Sequence, residues 1–308
     1  MTNKYTHTPL YKSVYFKKQF NLNIHYKMDC LQPSGSFKIR GMDRFLKVLS
    51  GKGATKVIAS SGGNAGYSLA YVGKQLSIAV KLIVPKTTAA FMIDKIKLLG
   101  AEVTVQGDNW NEANECALQL SSELNLPYIS PFDHPLLWEG HSTIIDECAA
   151  EMNEPDKIIV AVGGGGLLCG IFEGLTRNKW NKAKVITAET EGAASFAESF
   201  RAGELITLKE INTIATSLGA KTITKKALEY AAHFNVETYV TNDKSTINAC
   251  NDFFDEFDLI VEPACGAALS YIKNNLLKIS EEENILVIVC GGTGMSKEKL
   301  MEYTQKYK

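Results

Sequence analysis

Lys157-Ile158-Ile159-Val160-Ala161-Val162-Gly163-Gly164-Gly165-Gly166-Leu167 joins the two features around which the chain is organised. The apolar run shows no alternation, as expected of a strand buried on both faces of a parallel sheet. Four glycines end it, and a helical pattern starts at Leu167. Without Cβ atoms their N–H groups can close around an anion, and the dipole of the following helix favours negative charge, so phosphate is the natural guest. The alternative is a tight strand-to-helix crossover that needs glycine for packing. Four in a row exceed that need.

Working outward, strands are predicted at 23–28, 56–60, 79–84, 102–105, 127–129, 157–162, 184–189, 237–240 and 285–289. Helices are predicted at 42–49, 67–74, 90–99, 111–124, 138–152, 167–175, 193–201, 224–232, 245–254 and 267–277. This alternation is the signature of an α/β fold, here two lobes with twisted, mostly parallel sheets wound by helices. The short β/α rhythm of residues 37–133 predicts a small lobe, set between residues 1–36 and 134–308 of a larger one. Two further strands end in glycine turns that open helices, Ser60-Ser61-Gly62-Gly63-Asn64-Ala65-Gly66 and Cys290-Gly291-Gly292-Thr293-Gly294. Such turns lie at the carboxyl ends of parallel strands, where wound sheets bind ligands.

The 308 residues carry a formal net charge of -1, which gives no global attraction to nucleic acid or an anionic membrane. Hydrophobic residues at 45% and charged residues at 22% match an ordinary soluble protein. The 7 cysteines are odd in number and never spaced as C-x-x-C, which argues for reduced thiols rather than a disulfide framework or a zinc site. The first ten residues are polar and no window is apolar enough to span a bilayer, so the expected location is the cytoplasm.

A second stretch, Pro33-Ser34-Gly35-Ser36-Phe37-Lys38-Ile39-Arg40-Gly41, places a lysine in the first turn of a helix, with Ser36 as the expected N-cap. A helix N-terminus disfavours an ammonium and favours the neutral amine that a Schiff-base lysine needs. A nucleotide site must be weighed too, because Glu189 closes a strand roughly twenty residues after the tetraglycine. The third glycine of G-x-G-x-x-G is missing, however, since Leu168 stands there. No G-x-x-x-x-G-K-[ST] or G-x-S-x-G motif occurs, and the 5 histidines form no i, i+4 pair.

A phosphate cradle, an activated lysine and further anion-binding turns together point to pyridoxal 5'-phosphate. With these motifs, and with Pro131-Phe132-Asp133, Trp138-Glu139-Gly140-His141 and Val261-Glu262-Pro263-Ala264-Cys265-Gly266, the chain resembles the fold-type-II pyridoxal-phosphate enzymes of the L-serine/L-threonine dehydratase kind over nearly its whole length. The resemblance implies that Lys38 forms the Schiff base and removes the α-proton, with Phe37 against the pyridine ring and Asn64 on the phenolic oxygen. It places Gly163, Gly164, Gly165, Gly166 and Leu167 around the phosphate, Cys290 opposite the pyridine nitrogen, and Ser61, Gly62, Gly63, Asn64 and Ala65 around the substrate carboxylate. It further implies a monovalent cation, potassium, near Glu189, Ala193, Ser195, Leu218 and Ala220, and a homodimer.

The implied reaction takes L-serine to pyruvate, or L-threonine to 2-oxobutyrate, with release of ammonia. Racemases of the family carry a serine where this chain has Gly62, and replacement enzymes place serine or threonine where it has Cys290, so both alternatives are disfavoured. An alternative of a different class is a catalytically weak amino-acid-binding protein that keeps the fold. The intact set of Lys38, Asn64, tetraglycine and Cys290 argues against it.

Overall fold

The computed structural model describes residues 2–308. The chain opens with β1 (Leu10–Lys12), α1 (Val14–Phe20), β2 (Asn23–Lys27) and α2 (Lys38–Gly51). It continues through β3 (Lys56–Ala59), α3 (Asn64–Leu76), β4 (Ala79–Val84), α4 (Ala90–Leu98), β5 (Glu102–Val105), α5 (Trp110–Leu124) and β6 (Tyr128–Ile129). After α6 (Pro135–Glu151) come β7 (Lys157–Ala161), α7 (Gly166–Asn178), β8 (Lys184–Thr190), α8 (Ser195–Ala202), α9 (Lys225–Ala231) and β9 (Val236–Thr241). Helices α10 (Asp243–Phe257) and α11 (Pro263–Asn274), strand β10 (Asn284–Ile288) and helix α12 (Lys297–Lys306) complete it.

Two sheets result, ordered β1-β2-β10-β7-β8-β9 and β5-β4-β3-β6. Every pairing is parallel except that of β1 with β2. The central strands β7, β8 and β10 are buried along nearly their whole length, which is why their sequences read as unbroken apolar runs. Because β2, β10 and β7 are adjacent and parallel, their carboxyl ends share one edge of the large sheet.

The predicted strands and helices all form, with ends shifted by a few residues. Three elements carry too little pattern to be predicted. β1 has only three residues, α1 buries only Phe16, and α12 buries only Leu300 in an otherwise charged stretch. No helix among the described residues is long and apolar enough to cross a membrane.

The start of α2 is fixed by a buried charge network. The Arg40 guanidinium meets both oxygens of Asp29 at 2.7 and 2.8 Å and both of Glu147 at 2.6 and 2.8 Å. Lys27 adds an ion pair to Glu147 at 2.7 Å. With two cations and two carboxylates, the network ties the end of β2, the first turn of α2 and helix α6 without leaving a net buried charge.

Candidate active site

At the shared sheet edge the chain leaving β2 turns back over the end of β10. Cys30 donates its N–H to the Val289 carbonyl at 2.9 Å, Ser36 bridges to Gly291, and the Phe37 N–H reaches the Cys290 carbonyl at 3.0 Å. Helix α2 therefore starts directly on the Cys290 turn. Its N-cap is Phe37 and not the expected Ser36. The Ser36 backbone is committed to the bridge, its buried hydroxyl finds no partner, and Lys38 becomes the first helical residue.

The Lys38 amine donates to the Pro131 carbonyl at 2.5 Å and lies 5.2 Å from the centre of the Phe37 ring. Burial pushes its pKa down to about 8, with Cys290 acting in the opposite sense. The neutral amine is thus far more accessible near neutral pH than in an ordinary lysine. The expected direction is right, but desolvation is the main cause. His141 packs edge-on against Phe37 at 4.8 Å. Both nitrogens of this buried ring lack a partner, and burial, then the charges of Lys38 and Arg40, hold its pKa well below 6.5.

The turn that receives the Lys38 amine also seats the tetraglycine. Trp138 donates its indole N–H to the Phe132 carbonyl at 2.8 Å, and Thr224 donates its hydroxyl to Asp133 at 2.6 Å. A Cβ on Gly164 would lie 2.4 Å from carbons of the Phe132 ring, so only glycine fits this approach. Gly165, with φ +89°, turns the chain into α7. None of the N–H groups of residues 163–167 finds an acceptor among the described residues. They stand as a row of free donors at a helix N-terminus, the arrangement that binds phosphate.

Helix α3 presents a second such row, because the N–H groups of Asn64, Ala65 and Gly66 also lack acceptors among the described residues. The Asn64 side chain is held at both ends. Its amide nitrogen donates to Glu262 at 2.9 Å, and its oxygen accepts the Thr293 N–H at 2.9 Å. Glu262 accepts in addition from the Ser217 hydroxyl and the Gly294 N–H, each at 2.7 Å. The Ser217 carbonyl in turn lies 2.8 Å from where a Gly163 Cβ would stand, which links Asn64 to the tetraglycine. Ser61 caps its own turn through the Gly63 N–H, and Gly63 is open to solvent. At Gly62 a Cβ would fall 2.3 Å from the Thr88 methyl carbon, so Thr88 already occupies the space a side chain would need.

Cys290 sits immediately beyond β10, with 5% of its surface exposed. Phe37, Lys38, Asn64, Gly163, Gly164, Gly165, Gly166 and Cys290 are thus joined through short contacts at one edge. The residues expected around a cation are arranged differently. Both oxygens of buried Glu189 accept N–H groups of α8, from Phe196 at 2.8 Å and Ala197 at 2.7 Å. Burial raises its pKa to about 8, against the pull of these two bonds. Ala193 and Ser195 lie at the start of α8, while Leu218 and Ala220 belong to the turn packed on Gly163.

Sequence reasoning gave no role to Glu262, Thr88, His141 or Cys265. Asn64 and Glu262 are 198 positions apart, and nothing local marks one as the partner of the other.

Comparison with known proteins agrees with this geometry. The family model described as pyridoxal-phosphate dependent enzyme matches residues 1–291. An L-serine dehydratase of Dictyostelium discoideum is 40% identical, covering 97% of this chain and 91% of its own length. A human L-serine dehydratase/L-threonine deaminase is also 40% identical, over 95% of this chain and 92% of its own. A fungal L-serine ammonia-lyase from Rhizomucor miehei superposes with a TM-score of 0.94 at 34% identity, covering 100% of both chains.

Proposed function

The chain belongs to the pyridoxal-phosphate dependent enzymes, and on that premise we propose that it is a dehydratase that removes water and ammonia from L-serine, L-threonine or both. The products are pyruvate and 2-oxobutyrate. The observation that carries the reading is the single turn at residues 131–132, which takes the Lys38 amine on one side and seats the tetraglycine on the other.

The residues present fit the cofactor. The free N–H groups of residues 163–167 suit its phosphate, Lys38 offers a largely desolvated amine, and the Cys290 thiol stands at the neighbouring strand end. When bound, pyridoxal phosphate supplies a carbonyl carbon for amine capture and a ring that withdraws electrons from the substrate α-carbon. Lys38 would hold the cofactor covalently, and its amine would serve as the base for the α-proton. A pKa near 8 suits both duties, because the neutral form is accessible at working pH and the protonated form is not too acidic to hold the proton. The α3 N–H groups would hold the substrate carboxylate, and Glu262, by fixing the Asn64 amide, would leave that side chain positioned to hold the cofactor's phenolic oxygen. Cys290 would give the ring nitrogen a weak hydrogen-bonding partner in place of a carboxylate. A thiol there would do little to stabilise a charged ring.

Thr88 fills the room beside Gly62, where the racemases place a serine, which supports elimination over racemisation. The reading extends to a homodimer in the cytoplasm, and to potassium near Glu189. Light scattering, cell fractionation and rates in potassium against sodium test these three points.

For the main reading, purified protein loaded with pyridoxal phosphate should absorb in the visible band of a protonated Schiff base and form 2-oxo acid from L-serine. Lys38→Ala should lose both properties. D-serine as the main product, or a wild type that never takes up the cofactor, refutes the proposal.

A further inference from the structure

The first turn of α11 brings Cys265 against the end of β10, where its sulfur lies 3.1 Å from that of Cys290. The pair is held on a rigid frame. The Gly291 N–H donates to the Cys265 sulfur at 2.9 Å, and the Cys265 thiol faces the Gly291 carbonyl at 3.4 Å. The separation of the two sulfurs exceeds a disulfide bond by only about 1 Å, a gap that small rotations of the side chains close.

We propose that Cys265 and Cys290 form a redox-active dithiol, and that its disulfide is a reversible modification that inactivates the enzyme. The oxidant is a peroxide. The Cys290 sulfur, as thiolate, attacks one peroxide oxygen, the O–O bond breaks, and hydroxide leaves to be protonated to water. The Cys265 sulfur, losing its proton, then displaces hydroxide from the oxidised Cys290 sulfur and the S–S bond forms. Two thiols and one hydrogen peroxide thus give one disulfide and two waters. The sulfurs lose two electrons in all, and a dithiol reductant returns them.

The order of the two steps follows from exposure. Cys290 retains 5% of its surface and Cys265 none, so the oxidant reaches Cys290 first. Burial, together with the neighbouring Cys290, raises the pKa of the Cys265 thiol well above its ordinary range, which makes it the poorer first attacker on peroxide; in the second step its proton leaves with the displaced hydroxide as water. Other thiols lie near. Cys250 donates to the Glu262 carbonyl at 3.5 Å, and the Cys30 backbone packs against Gly291, but neither is paired sulfur to sulfur among the described residues.

Inactivation rests on the reading of Cys290 as the partner of the cofactor's ring nitrogen, because a disulfide sulfur has no proton to share. Formation of the bond does not rest on it. Bound cofactor would cover Cys290, so the apo form should oxidise about tenfold faster than the loaded enzyme.

The test treats apo and loaded full-length protein with hydrogen peroxide, then blocks free thiols with an alkylating agent. Peptide mass mapping reads the bond and 2-oxo acid formation reads activity. The expected result is a cross-linked peptide pair containing Cys265 and Cys290, lighter by two hydrogens, which appears as activity falls and disappears as dithiothreitol restores it. Cys265→Ala should retain basal activity, form no such pair, and lose the recovery by dithiothreitol. Oxidised or alkylated Cys290 with no cross-linked pair in the wild type overturns the dithiol. A cross-link that leaves turnover unchanged overturns the inactivation. Protein that is inactive before any oxidation instead counts against the dehydratase reading, while the mass map still decides the cross-link.

Discussion

Replacing Arg40 with methionine should expose how the first turn of α2, and with it Lys38, is held. The guanidinium is fully buried and carries both carboxylates of the network. After its loss Glu147 keeps Lys27 at 2.7 Å, whereas Asp29, with no exposed surface, keeps only the Thr8 hydroxyl at 2.7 Å. One buried carboxylate is left without a directly bonded cation, a change that typically costs about 3–5 kcal/mol. The protein can limit that cost by protonating Asp29. For a group with an ordinary pKa of about 3.9, protonation at pH 7 costs about 4 kcal/mol, and at pH 5 about 1.5 kcal/mol.

The sign in the wild type is the reverse. Burial alone would raise the pKa of Asp29, but Arg40 holds it below the ordinary value. The stability this contributes is present above the unfolded pKa and is lost as pH falls through the folded one. The gap between wild type and Arg40→Met should therefore shrink by about 1.4 kcal/mol per pH unit between pH 7 and pH 5. Urea unfolding followed by tryptophan fluorescence at both pH values measures it, and Asp29→Asn added to Arg40→Met should recover most of the loss at pH 7. A gap that does not change with pH, or a double variant no more stable than the single one, refutes the reasoning.

His141→Leu should flatten the acid limb of the stability curve. Burial, followed by the charges of Lys38 and Arg40, keeps His141 neutral in the fold, so the unfolded chain binds the extra proton below about pH 6.5 and wild-type stability falls by up to about 1.4 kcal/mol per unit there. Identical limbs in urea midpoints from pH 7 to pH 5 would rule this out. Gly164→Ala, whose Cβ would press on the Phe132 ring, should weaken pyridoxal phosphate binding by about tenfold or more in fluorescence titrations, while Gly51→Ala, with nothing within 4 Å, leaves it unchanged. Gly62→Ser should lower 2-oxo acid formation without producing D-serine, because Thr88 stands in the way; Thr88→Ala added to it should restore part of the rate, and D-serine from the single variant would contradict this.

What the sequence made legible shares one physical character, that the signal is local. The unbroken apolar run of β7 reports burial on both faces, and Gly163, Gly164, Gly165 and Gly166 report a backbone that must come close to something. Lys38 is marked by its place at a helix start, although burial, which no local pattern reports, is what lowers its pKa. Ser36 shows the limit of such reasoning. A serine before a helix is a good N-cap only when its backbone is free to be one, and here a bridge to Gly291, 255 positions away along the chain, takes that freedom.

The positions that escaped sequence reasoning all act through partners distant in the chain. Glu262 gathers donors from Asn64, Ser217 and Gly294, which belong to three separate segments of the chain. A lone glutamate before a proline says nothing of that convergence. The same applies to Thr88 beside Gly62 and to Cys265 beside Cys290, where the informative quantity is a distance between turns. The division has a mechanistic consequence. The strand-end turns, written locally, supply the groups that touch the cofactor, whereas the long-range ties decide how those groups are aimed. Substitutions of the first kind should therefore weaken cofactor binding, and those at Glu262 and Thr88 should alter which reaction the bound cofactor performs. Glu262→Gln is the sharpest case: it keeps the size of the side chain, removes its charge, and sets an amide against three donors.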